Sequence, residues 1–142
     1  MSPTTIAFVC VQNAGRSQMA TALAERENSR RKTNVRILTG GTDPADHVHP
    51  EVVEVLEEKG IDRSETKPKE IQPEELQSSD VVITMGCSAE NVCPANYAGE
   101  SRDWDLEDPD GKELNEVRAI RDEINRRVTI LFDELEGLHD AS

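Results

Sequence analysis

Cys10 and Arg16 frame the stretch Val9-Cys10-Val11-Gln12-Asn13-Ala14-Gly15-Arg16-Ser17, where an apolar, strand-like run ends at a cysteine and a helix-like run begins seven residues later. Five residues separate the cysteine from the arginine. That is enough to curl the backbone of Val11, Gln12, Asn13, Ala14 and Gly15 into a cradle with its N–H groups turned toward the mouth of the following helix. Such a cradle binds oxyanions. The planar fork of Arg16 can take two oxygens of a tetrahedral anion, and together with the positive helix end it favours Cys10 as a thiolate. A nucleophile then sits under a bound anion. Ser17 has two uses open to it, donating its hydroxyl to the thiolate or capping the helix.

A thiolate that attacks a tetrahedral oxyanion needs a proton donor for the departing oxygen. Asp108, directly before Pro109 in Trp104-Asp105-Leu106-Glu107-Asp108-Pro109, is the candidate, with Asp105 and Glu107 as rivals. His47 and His49 form a His-x-His pair, which is weak evidence for a metal. His49-Pro50 has its own explanation as a helix start, so both histidines are read as structural and no metal site is expected.

The elements that must position these groups follow from pattern. Ile6-Ala7-Phe8-Val9-Cys10 is nearly continuous in apolar residues, as in a central strand covered on both faces. A first helix follows from Ser17 to about Asn28, with Met19, Ala22 and Leu23 on one face. Val35 to Thr39 predicts an edge strand ended by Gly40-Gly41. A second helix opens at Pro50, runs through Lys59 and stops at Gly60, with Val52, Val53 and Leu56 inward. Pro73 starts a short helical turn through Gln77, and Val81 to Met85 is another buried strand. Residues 87–111 show no periodicity, and an irregular segment of that length in a small domain is usually functional. Leu114, Val117, Ile120, Ile124, Val128, Leu131 and Leu135 then mark a long helix ending at Gly137. Strands alternating with helices imply an α/β fold: one parallel sheet of about four strands, wrapped on both faces, in a single domain over residues 1–142. Ligands of such sheets lie beyond the carboxyl ends of the strands, where Cys10 falls.

Composition narrows the function. The chain has 29 acidic and 16 basic residues, a formal net charge of −13, which argues against a nucleic-acid partner. Arg outnumbers Lys roughly two to one and only four residues are aromatic, so a carboxylate coat surrounds a modest aliphatic core. A coat of this kind repels itself at low salt, a property of halophilic proteins. No apolar run approaches a membrane span, no signal-peptide pattern opens the chain, and the odd count of three cysteines fits a reducing, cytoplasmic compartment.

The segment from Cys10 to Arg16-Ser17 resembles the signature of the low-molecular-weight tyrosine phosphatase superfamily. Cys-x-x-Asn with Arg16-Ser17-Gln18-Met19-Ala20 resembles its arsenate reductase branch. Thr39-Gly40-Gly41-Thr42, Val48-His49-Pro50, Gly60-Ile61, Met85-Gly86-Cys87 with Cys93-Pro94, and the Asp108-Pro109 acid loop extend the likeness over nearly the whole chain. The resemblance implies that Cys10 attacks arsenate, that Asp108 donates the proton, and that a thiol then attacks Cys10 to release arsenite and leave a disulfide. Cys87 and Cys93 are placed to receive that disulfide, with no bound cofactor. An external thiol, either a thioredoxin-like protein or a small molecule, returns the electrons. There are departures: Gly15 stands where the thioredoxin-coupled enzymes carry a further cysteine, and their redox cysteines lie slightly further apart. The loop looks closer to actinobacterial reductases, some of which use a small-molecule thiol. Asp110-Gly111 follows the acid motif where the phosphatases have aromatics, so hydrolysis of phosphomonoesters through a phosphocysteine is the second reading and a redox sensor without turnover the third.

Overall fold

The computed structural model describes residues 4–85, 99–109 and 111–140. Four parallel strands, β1 (Thr5–Cys10), β2 (Arg36–Gly41), β3 (Val81–Met85) and β4 (Glu100–Asp103), form one sheet in the order β2-β1-β3-β4. Helices α1 (Arg16–Arg31), α2 (Pro50–Glu57), α3 (Pro73–Gln77) and α4 (Leu114–Asp140) connect and cover it.

The alternation of side chains along β1 explains its unbroken apolar sequence. Ile6, Phe8 and Cys10 face a large core shared with α1, α2 and α4. Ala7 and Val9 face a smaller one completed by Val82, Ile71 and Leu76 of α3. Both faces are dry, so no position of β1 has a reason to be polar. Phe8, Phe132, Ile124 and Leu131 are almost fully buried, each contributing roughly 1.5–3 kcal/mol relative to exposure.

β1 runs to β2 on one side through α1, and β3 takes its place on the other side. The strand order therefore reverses at the carboxyl end of β1. A crevice opens at such a point because the connections leave in opposite directions.

Pro50 does begin α2, and Gly60, with φ of 77°, follows its last turn. Val52, Val55 and Leu56 are the buried residues of that helix; Val53 is only partly buried. Several boundaries differ from the sequence expectation: α1 runs on to Arg31, beyond Asn28, and α2 ends at Glu57, two residues short of Lys59. Gly40 and Gly41 do not end β2 but are its last two residues, because they permit close approach of backbone. A Cβ on Gly40 would lie 2.7 Å from the Ile71 nitrogen, and one on Gly41 would lie 2.5 Å from the Val11 oxygen. The segment read as irregular contains β4, a strand of four polar residues held by backbone pairing to β3. The last helix passes through Gly137 to Asp140, since a helix tolerates one glycine at a cost of about 1 kcal/mol.

Candidate active site

Cys10 ends β1, and α1 starts at Arg16 with Gly15 as its N-cap residue. Between them the loop carbonyls are drawn outward by the chain that follows β2. Thr42 N–H donates to the Cys10 carbonyl at 3.3 Å, Asp43 to Val11 at 2.8 Å, Ala45 to Gln12 at 2.9 Å and His49 to Ala14 at 2.9 Å. With the carbonyls turned away, the N–H groups turn in. Among the described residues, those of Gln12, Ala14, Gly15 and Arg16 have no acceptor, and the positive end of a 16-residue helix lies behind them.

Asn13 locks this shape. Its φ of 52° lies in the left-handed region, which asparagine enters more readily than most residues. Its Nδ2 donates to Ser17 Oγ at 2.8 Å and to Thr39 Oγ1 at 2.9 Å, and Thr39 Oγ1 donates onward to the Phe8 carbonyl at 3.0 Å. Its Oδ1 accepts from Gln18 Nε2 and from the Lys69 N–H, both at 3.1 Å. A buried amide with every site used is rigid.

The Cys10 sulfur is buried and receives two of these groups. Asn13 N–H donates to Sγ at 3.2 Å, and Ser17 Oγ lies 2.8 Å away. Ser17 has no part in capping α1, so of its two possible uses the structure takes the one directed at the thiolate. The Asn13 N–H donates to the sulfur, and the Ser17 hydroxyl stands within hydrogen-bond reach of it.

Above the cradle, the 104–109 loop is anchored at both ends. Trp104 is buried with its ring 5.8 Å from that of Phe8, and its N–H donates to the Thr84 carbonyl at 2.9 Å. Pro109 is buried against Gly15, where a Cβ would come within 2.8 Å of the Pro109 Cγ. Arg16 Nη1 donates to the Leu106 carbonyl at 2.8 Å, and Nη2 lies 3.9 Å from Asp108 Oδ2. All three carboxylates of this loop, Asp105, Glu107 and Asp108, are exposed; among them Asp108 lines the cavity, and Glu107 pairs with Lys112 at 3.4 Å.

Cys10, Val11, Gln12, Gly15, Arg16, His49 and Asp108 enclose a cavity of about 230 Å³. Sequence reading placed all of these except His49, which it assigned to the helix start alone. Cys87 and Cys93 lie outside the described residues. The backbone cradle, the cysteine at its base and the Asp-Pro loop over it coincide with a match to the family model "Low molecular weight phosphotyrosine protein phosphatase" over residues 5–139.

The chain belongs to this family. Among low molecular weight phosphatase relatives, a Halobacterium salinarum protein provisionally named arsenate reductase is 58% identical over 135 residues, 94% of each chain. A solved thioredoxin-dependent arsenate reductase of Corynebacterium glutamicum superposes with a TM-score of 0.76 at 35% identity; the match covers 95% of this chain and 63% of that one. An arsenate reductase solved in its phosphate-binding state gives a TM-score of 0.79 at 31% identity, covering 92% of this chain and 98% of that one. Among the described residues, no helix is long and apolar enough to cross a membrane.

Proposed function

We propose that the protein reduces arsenate to arsenite, with Cys10 as nucleophile. The observation that carries this reading is the Cys10 sulfur, held by Asn13 N–H and Ser17 Oγ at the base of a cradle whose carbonyls all point away. The names of the relatives at 31–58% identity favour arsenate over phosphoester. So does a small cavity whose described lining holds no Phe, Tyr or Trp, which suits an inorganic anion better than a phosphopeptide.

In this reading the N–H groups of Gln12, Ala14, Gly15 and Arg16 and the Arg16 fork hold three arsenate oxygens. The Cys10 thiolate attacks arsenic while Asp108 passes a proton to the departing oxygen, which leaves as water. A second thiolate then attacks the Cys10 sulfur. The new S–S bond forms as the S–As bond breaks, and arsenic takes the electron pair and departs as arsenite. Two thiols are oxidised and arsenic is reduced by two electrons. Cys87 and Cys93 are the candidates to take the disulfide in turn, Cys87 first because it follows the carboxyl end of β3, beside Cys10. The electron donor is an external thiol, and the dependence of the Corynebacterium relative on thioredoxin supports a dithiol protein. The net charge of −13 and the Halobacterium relative support a salt-adapted enzyme, and the odd count of three cysteines supports a reducing, cytoplasmic setting.

The test is arsenite production by purified protein given arsenate with thioredoxin or with small thiols, beside hydrolysis of p-nitrophenyl phosphate. Cys10→Ser should abolish both. Cys93→Ser should release about one arsenite per enzyme and then stop with Cys10 joined to Cys87, as read by mass spectrometry. Steady hydrolysis of the phosphoester without arsenite from any thiol would replace this reading with the phosphatase one.

A further inference from the structure

Among the described residues, His49 is the titratable cavity-lining side chain that the mechanism above leaves without a task. Its backbone is fully engaged: the N–H donates to Ala14, and the carbonyl accepts from Val52 and Val53 at 3.0 and 3.1 Å. The residue therefore holds a fixed place between the anion loop and α2. Its imidazole serves neither neighbour. It makes no capping bond to α2, and among the described residues it has no hydrogen bond or ion pair. The ring is nevertheless half-buried and lies along the loop, with Cδ2 3.3 Å from where a Cβ of Gly15 would stand. Nε2 is bonded to that carbon.

Charge decides what such a ring can do. A doubly charged tetrahedral anion beside a thiolate brings three negative charges into one small cavity. Arg16 is the single permanent cation among the described lining residues, and Asp108 adds an acid. A second donor able to carry positive charge is what the described lining otherwise lacks, and His49 is the only other described side chain there able to supply it.

We infer that His49 is a substrate-binding residue whose imidazole donates a hydrogen bond to an oxygen of the anion seated over Cys10. This rests on the oxyanion-site reading but not on arsenate being the substrate. Inorganic phosphate is therefore the probe, followed by calorimetric titration of the whole protein. His49→Ala should weaken phosphate binding about tenfold, as for a hydrogen bond to a charged group, with the thermal midpoint unchanged. His49→Gln, which keeps an N–H donor, should bind within about threefold of wild type. In arsenate turnover His49→Ala should raise KM and leave kcat within about twofold. Phosphate binding equal to wild type in His49→Ala overturns the inference alone, as does equal weakening in both variants. A wild-type protein that takes up no phosphate overturns the oxyanion site and the inference with it.

Discussion

Asn13 Nδ2 donates to Ser17 Oγ over 2.8 Å, and that bond leaves the serine proton free for the sulfur once Cys10 is ionised. A hydroxyl oxygen that accepts from an amide keeps its own hydrogen for another partner, and the Cys10 sulfur lies 2.8 Å away. Asparagine orients serine, and serine is placed to donate to an ionised Cys10.

Replacing Ser17 with Ala should therefore slow the first chemical step. A hydrogen bond to a charged group contributes about 1.5–3 kcal/mol, which corresponds to a roughly 10- to 100-fold loss in the rate of arsenite release in one turnover. Alkylation of Cys10 by iodoacetamide at neutral pH should slow in parallel. Unchanged alkylation would mean that the hydroxyl does not serve the sulfur.

Gly15 predicts a separation of activity from stability. A methyl group there would meet the Pro109 ring at 2.8 Å, a contact that real side chains avoid, so Gly15→Ala should push the Asp108 loop off the cradle. Turnover should drop by at least tenfold while phosphate still binds. Gly41→Ala meets backbone instead, with the Val11 oxygen at 2.5 Å, and should destabilise the fold by about 1–3 kcal/mol in urea titration.

Much of this arrangement is legible in the residues. The apolar run of β1, the proline at the start of α2 and the period of α4 reflect burial and backbone limits that act locally. Other features depend on partners distant in the chain. Glu100-Ser101-Arg102-Asp103 has no apolar face, and it becomes a strand only because β3 offers it a backbone edge. Gly40 and Gly41 look like a strand terminator until Ile71 and Val11 are seen pressed against them. His49 next to Pro50 has a sufficient local explanation, which hid its ring from notice.

Acid should act through Glu58. Its carboxylate joins Arg118 and Arg121 of α4 to the end of α2, each at 2.7 Å, and the hydrogen bonds from Arg118 and then Arg121 pull it down from the ordinary 4.5 to about 2. The folded value lies below the unfolded one. This contribution is therefore complete above about pH 4.5 and is lost as pH falls through about 2. Glu58→Gln should be less stable than wild type at pH 7 by urea unfolding, and the gap should close across that window. A gap that widens on acidification would contradict the assignment.

Salt should move stability in the opposite sense from a surface built on ion pairs. Arg31 reaches Glu27, Asp133 and Glu136 at 2.7, 2.9 and 3.2 Å, but the net charge of −13 leaves carboxylates in excess. At about 1 M salt the screening length is roughly 3 Å, and the repulsion among them is muted. The midpoint of thermal unfolding should rise from low to molar KCl. A midpoint that falls would show that attraction outweighs repulsion.

The bonds that shape the cradle join residues 10–18 to partners at positions 39–49 and to Lys69. The loop with the acid and the two further cysteines come after position 85. The proposed anion seat is thus written in the first half of the chain, and the groups proposed to act on what sits there in the second. On this reading a change in the later half alters what is done to the anion without unseating it. One lineage can in this way hold both phosphatases and reductases.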